Sequence, residues 1–181
     1  MAYFPIEEFK KLETPFYYYD MDLLRRTLQT VAELSGKYGF FVHYAVKANY
    51  NPKILDVVRE FGFGLDCVSG GEIEAALAAG FSGDAIMFAG VGKTDREIEL
   101  ALENNIRCFN VESLPELENI NSIALRMNRM AHVAVRVNPN IDAHTHHYIT
   151  TGLQENKFGI SVEMLDEFVG RALAMGNVDL C

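Results

Sequence analysis

Short apolar runs recur along this chain, and most are followed within a few residues by a signal for the start of a helix. The runs are residues 40–46, 64–68, 85–88, 107–111 and 132–137. Brief apolar runs bounded by turn residues read as strands buried on both faces. After the first run, Asn51-Pro52 supplies a cap and then a proline at the first helical position, where its missing N–H is not needed. Ser69-Gly70-Gly71-Glu72, Thr94-Asp95-Arg96-Glu97 and Ser113-Leu114-Pro115-Glu116 each fit the S/T-x-x-E capping box. There the hydroxyl and the carboxylate satisfy free backbone N–H groups reciprocally. Helical spacing of apolar residues follows, as in Ile73, Ala76 and Leu77, or Ile98, Ala101 and Leu102. A helix is also expected over residues 20–34, and another resumes around Ser161. Residues 177–181 read as the beginning of a sixth strand.

Strands that alternate with helices imply a parallel sheet. The repeat is about 20 to 25 residues per unit, a rhythm that suits a (β/α)8 barrel. A doubly wound open sheet is the alternative. A complete barrel usually needs about 250 residues, and this chain has 181. The expected architecture is therefore a partial (β/α)8 TIM barrel, truncated near the sixth strand. Residues 1–20 form an extension, and residues 21–181 form about five βα units plus the start of strand six. A partial barrel leaves a sheet edge uncovered. The chain is thus expected either to be part of a longer protein or to close against another chain.

Bulk properties exclude several roles. The net charge is −9, which argues against nucleic acid as the main partner, since phosphate binding needs a basic face. The N-terminus, MAYFPIEEFKK, has acids where a secretory signal needs a basic start and an apolar core. Apolar runs are too short for a membrane span. Three cysteines without a C-x-x-C pair, two of them inside strand-like runs, fit buried free thiols and a reducing cytoplasm.

The chemistry begins in FFVHYAVKANYNP, residues 40–52. Side chains alternate along a strand, so His43, Ala45 and Lys47 are expected on one face. Lys47 then lies at the carboxyl end of the first strand, where barrel enzymes place their catalytic groups. A confined amine can act as a nucleophile toward an aldehyde. The competing reading is a lysine leaving its strand for solvent. Asp66 and Glu72 flank the second βα turn, DCVSGGE. A carboxylate near Lys47 would tune its charge, although Glu72 already has a capping role. Gly90-Val91-Gly92-Lys93-Thr94 imitates a phosphate-binding loop. The full pattern needs a further glycine upstream, where this chain has Met87. A βα turn capped by Thr94 accounts for those residues. His144, His146 and His147 form an HTHH cluster, but neither cysteines nor helical histidine spacing supports a metal. The cluster sits in a long polar stretch, residues 139–156, after the fifth strand. Arg136 and Asn138 precede it, and Lys157-Phe158-Gly159 closes it. Long loops in compact domains are often functional.

YAVKAN, DCVSGGE, FAGVGKTDREIELAL and RVNPNIDAHTHHYITTGLQENKFGI, in this order and spacing, resemble the diaminopimelate decarboxylases. These are pyridoxal-phosphate-dependent enzymes with an alanine-racemase-like barrel. The resemblance runs from about Thr14 to the end of the chain. YAVKAN is shared with ornithine and arginine decarboxylases, whereas the DAHTH, TTG and ENKFGI elements are more specific. The resemblance implies pyridoxal 5'-phosphate held as a Schiff base on Lys47. Asp66, Glu72 and Arg136 match positions near the cofactor, with the carboxylates holding Lys47 and Arg136 in place. His144, His146, Thr151, Gly152 and Lys157 would contribute to the substrate site or a dimer contact. The implied reaction is loss of carbon dioxide from meso-2,6-diaminopimelate, giving L-lysine, in a cytoplasmic homodimer. The family's H-x-H-x-G-S strand, glycine triplet, E-P-G-R segment and C-terminal β-domain are not in this sequence. The chain alone is therefore expected to lack activity. A related ornithine, arginine or carboxynorspermidine decarboxylase and a non-catalytic half-barrel interaction module are the alternatives, with a histidine-loop metal protein a further one.

Overall fold

The computed structural model describes residues 4–139 and 158–181. After a short helix α1 (Ile6–Phe9), the long helix α2 (Met21–Tyr38) leads into β1 (His43–Ala45). There follow α3 (Pro52–Glu60), β2 (Gly64–Cys67), α4 (Gly70–Ala78), β3 (Ile86–Phe88), α5 (Asp95–Glu103), β4 (Cys108–Val111), α6 (Leu114–Arg126) and β5 (Ala131–Val135). Beyond these lie two short strands, β6 (Val137–Asn138) and β7 (Ile160–Ser161), then α7 (Leu165–Ala174) and β8 (Val178–Leu180).

Six strands form one sheet in the order β1-β2-β3-β4-β5-β8, and every pairing is parallel. The strand order never reverses. A doubly wound sheet reverses at its switch point, so this topology is that of a (β/α) barrel wall. The pair β6–β7 forms a separate parallel ribbon beside it.

Register explains how the wall is packed. Asp66 pairs with Met87, Met87 with Cys108, and Asn110 with Ala134, so these side chains share the inner face. Leu65, Ile86, Phe88, Phe109, Val111 and Val133 share the outer face and are fully buried. The helices cover that face with Leu55, Val58, Ile73, Ile98, Leu117, Ile120 and Phe168. The deep core therefore lies between sheet and helices, and the inner face carries the polar groups.

Helix starts follow the sequence signals, with one systematic difference. Asn51 accepts from Lys53 N at 3.0 Å with proline at the helix start, and Asp20 accepts from Leu23 N at 2.8 Å. Thr94 and Glu97 form the complete capping box. Ser69 and Ser113 cap as expected, but Glu72 and Glu116 reach one residue further back, to Val68 N and Glu112 N, each at 2.8 Å. Those N–H groups come one residue after the ends of β2 and β4, where the ladder stops. The carboxylate takes the place of the next strand's acceptor. Helix α2 runs past the expected residue 34 to Tyr38 and ends on Gly39 at φ 70°.

The first strand is shorter than its apolar run. Phe40 and Phe41 precede β1 and are 70% and 82% exposed. Arg25–Glu60, Arg126–Glu99 and Arg171–Glu118 link neighbouring helices. All three pairs are solvent-exposed, and such pairs contribute about 0–1 kcal/mol each. Cys67 and Cys108 are buried free thiols. Burial pushes both up to about 12, and the neighbouring Cys181 thiol adds to the effect at Cys108.

His43 lies at the opposite end of the sheet from the strand tips, against Gly64, where a β-carbon would meet its ring at 2.5 Å. Burial holds its pKa below the usual histidine value, and Arg107 acts in the same direction against Asp66. The unfolded chain therefore binds this proton at a pH where the folded chain does not. Stability from this residue is fully present above the ordinary histidine pKa and is lost as pH falls from there through the lowered value of the folded chain. Unfolding midpoints measured across that range are expected to rise with pH. The slope should flatten in His43→Gln.

Candidate active site at the strand carboxyl ends

The chain does not carry Lys47 as the last residue of a strand. Strand β1 stops at Ala45, and Val46–Ala48 forms a single 3-10 turn. The turn is anchored by Val46, which is fully buried. Behind it, Tyr44 Oη donates to Asn49 O at 3.2 Å, and Asn49 Oδ1 accepts from Asn51 N at 2.9 Å. With the turn held on both sides, Lys47 is exposed and its side chain lines a cleft of about 640 Å³. Simple strand alternation placed Lys47 at the right end of the sheet but omitted the turn that aims it.

Asp66, Asn110, Glu112 and Arg136 line the same cleft. Asp66 comes from β2, with its partner Ala45 immediately before the Lys47 turn. Val111 and Val135 are register partners, so Glu112 and Arg136, each one residue later, leave the sheet side by side. Arg136 Nη1 donates to Glu112 Oε1 at 2.9 Å. The Phe158 ring lies over the guanidinium, 5.5 Å from Cζ. The Glu112 side chain is 4% exposed against 47% for Arg136. Its second oxygen is buried without a hydrogen-bond partner among the described residues.

Two glycines permit this geometry. Gly90 has φ +98°, and a β-carbon there would come within 2.9 Å of Val68 O at the cleft floor. Gly159 has φ +101°, and its β-carbon would lie 2.6 Å from Arg136 O, which instead accepts from Ile160 N at 2.8 Å. The β6–β7 ribbon thus grips the backbone of Arg136 itself.

Glu72 does not line this cleft. Its Oε2 accepts from Val68 N, which ties it to the βα turn between Asp66 and α4. The residue that holds Arg136 is Glu112, which the sequence reading did not single out. Its position one residue after the fourth strand, matching Arg136 after the fifth, was the available signal. Lys93 belongs to the βα turn after β3. It is 2% exposed and donates to Gly90 O, Asn110 O and Glu116 Oε1 at 2.8, 2.9 and 2.6 Å. An ammonium so engaged is not offered to a phosphate, which agrees with rejecting a nucleotide loop. His144, His146, Thr151, Gly152 and Lys157 lie outside the described residues. Among the described residues, no cluster of three or more His, Cys, Asp or Glu could hold a metal ion.

Residues 21–181 match the family described as "Pyridoxal-dependent decarboxylase, pyridoxal binding domain". The chain belongs to this family. It is 58% identical over 176 residues to the diaminopimelate decarboxylase of Bacteroides thetaiotaomicron, covering 97% of this chain and 46% of that protein. Identity to the Haemophilus influenzae diaminopimelate decarboxylase is 42% over 177 residues, covering 97% and 43% of the two chains. Among solved structures, a diaminopimelate decarboxylase of Helicobacter pylori complexed with L-lysine superposes with a TM-score of 0.87 at 42% identity, covering 97% of this chain and 44% of that one. The enzyme of M. jannaschii in co-complex with L-lysine gives 0.84 at 38% identity, covering 97% and 42%. The chain therefore spans less than half the length of these relatives. The partial parallel barrel expected from the sequence is the fold these neighbours share.

The donor set fits the cofactor that defines the family. Pyridoxal phosphate carries an aldehyde and anionic oxygens. The cleft offers an exposed amine on Lys47, a carboxylate on Asp66 and a guanidinium on Arg136. Its volume lies within the usual range for small-molecule sites, about 300–1,000 Å³.

Proposed function

We propose that the whole protein is a diaminopimelate decarboxylase. It converts meso-2,6-diaminopimelate to L-lysine and carbon dioxide, with pyridoxal 5'-phosphate carried covalently on Lys47. The observation that carries this reading is the anchored 3-10 turn, which directs Lys47 into the cleft shared by Asp66 and Arg136. Bound there, the cofactor supplies an electron sink for the pair left when carbon dioxide departs.

The chain's own residues supply position and charge. Lys47 would hold the cofactor through its aldehyde, the group that would also receive the substrate amine. Asp66 lines the cleft with Lys47 and contributes a negative charge there. Arg136, held by Glu112 and Phe158, presents a fixed positive charge to anionic groups in the cleft. Glu72 keeps the Asp66 turn in place through Val68 N. His144, His146, Thr151, Gly152 and Lys157 belong to the substrate or dimer loop in this proposal. The enzyme works as a homodimer in the cytoplasm, with a small amino acid as its substrate. No described helix is long and apolar enough to cross a membrane.

The substrate assignment draws on the relatives named above, two of whose structures were solved with L-lysine. It is tested by measuring carbon dioxide release by the protein at its natural length. The substrates are meso-diaminopimelate, ornithine, arginine and carboxynorspermidine. We expect kcat/KM for diaminopimelate to exceed the others by about a hundredfold or more, the scale of losing a paired polar contact at the distal end of the substrate. A preference for ornithine would overturn the assignment.

A further inference from the structure

Lys93 is the one cation of the GVGKT turn, and nothing in the decarboxylase reading requires it. Its ammonium is nevertheless buried and fully engaged. It donates to Gly90 O just past β3, to Asn110 O on β4 and to Glu116 Oε1 on α6. It also lies 5.2 Å from the centre of the Phe88 ring. The other oxygen of Glu116 accepts from Glu112 N at 2.8 Å. Glu112 Oε1 then accepts from Arg136 Nη1 at 2.9 Å. A continuous polar chain thus runs from Lys93 through Glu116 and Glu112 to the guanidinium in the cleft.

Two features make this chain more than local capping. First, it crosses three successive βα units, fixing the ends of β3, β4 and β5 relative to one another. Second, Glu112 is nearly fully buried yet has only Arg136 on one oxygen, with the other oxygen unpartnered among the described residues. The Glu112 backbone has its own anchor in Glu116, which ties the residue to the start of α6. Arg136 is held where Glu112 is held.

We propose that Lys93 and Glu112 are positioning residues, a buried brace that sets Arg136 in the cofactor cleft. This inference rests on the reading that the cleft takes pyridoxal phosphate at Lys47. Lys93 does not line the cleft, and Glu112 reaches it with one oxygen committed to Arg136. Lys93 acts through Glu116 and Glu112, and Glu112 acts through Arg136.

The test uses the protein at its natural length, with Lys93→Met, Glu116→Gln, Arg136→Met and the Lys93→Met/Arg136→Met double variant. Glu116→Gln keeps the size and one acceptor oxygen but replaces the other with an NH2 donor, so it breaks one link of the chain without opening a cavity. Two quantities are measured on the same samples. One is the equilibrium dissociation constant for pyridoxal phosphate, from its absorption band, below the unfolding range of every variant. The other is the urea midpoint. Lys93→Met and Glu116→Gln should each raise the dissociation constant about tenfold, the scale of a small displacement of a positioning group. In the double variant the two shifts should fail to add for both quantities, because both act on one chain of contacts. Lower stability with an unchanged dissociation constant in Lys93→Met and Glu116→Gln would reduce the brace to ordinary scaffolding and overturn the proposal. Additive shifts would do the same. If the unchanged protein fails to take up pyridoxal phosphate at Lys47, the decarboxylase reading itself falls, and the brace with it.

Discussion

Lys47→Ala is expected to abolish covalent attachment of pyridoxal phosphate and to lower kcat/KM about a thousandfold or more. A nucleophilic amine that forms the covalent link acts in every turnover, and losses on that scale are usual when such a group is removed. The protein itself should remain folded. Lys47 is exposed and sits on a turn whose anchors are Val46, Tyr44 and Asn49. Removing its side chain leaves those contacts intact, so the unfolding midpoint should stay within about 0.5 kcal/mol of the parent. Added small amines should restore part of the activity, since the missing function is that of an amine. Urea denaturation and steady-state kinetics on the same preparation separate loss of chemistry from loss of fold. A large drop in stability would assign Lys47 to the scaffold instead.

Glu116→Ala should produce the largest loss of stability among the site's supporting residues, about 3 kcal/mol. Glu116 is 11% exposed and Lys93 2%. Removing one partner of a buried ion pair leaves an uncompensated charge, which is far costlier than losing the attraction alone. The substitution also removes the acceptor for Glu112 N and one carboxylate from the first turn of α6. Lys93 keeps Gly90 O, Asn110 O and the Phe88 ring, so the effect stays near the lower end for buried pairs. A Lys93→Met/Glu116→Met double variant should be less destabilised than the two single variants summed, by more than about 1 kcal/mol, since apolar replacement of both ions removes the desolvation cost. Recovery should stop short of the parent because Glu112 N still lacks its acceptor. Equilibrium denaturation of the four proteins gives the comparison.

Much of the wall was legible because each βα unit announces itself locally. Caps at Asn51, Ser69, Thr94 and Ser113 are read from adjacent residues, and all four are formed. The apolar runs gave the strands, though not their ends. Phe40 and Phe41 look like strand residues because they are apolar, yet they lie before β1 and are largely exposed. Hydrophobicity alone does not say where hydrogen-bond partners stop.

Lys47 and Asp66 could be placed at one end of the sheet from their own strand positions and Arg136 from the family resemblance, and all three line the cleft. The site was not legible where a residue's role depends on register between units. Glu112 meets Arg136 because Val111 pairs with Val135. Glu72 is drawn to Val68 N because β2 ends at Cys67. Lys93 joins three units through contacts that are distant in sequence. None of these relations can be read from spacing along one unit. Lys93 was further obscured by its likeness to a phosphate-binding lysine, when its ammonium is committed to two carbonyls and a carboxylate.

The central claim is that Lys47 carries the cofactor. Incubating the protein at its natural length with pyridoxal phosphate, reducing with borohydride and mapping the labelled peptides tests it most directly. One pyridoxyl group per chain is expected, on Lys47, and it is lost in Lys47→Ala. Label spread over several surface lysines, or concentrated on a lysine outside the cleft, would contradict it.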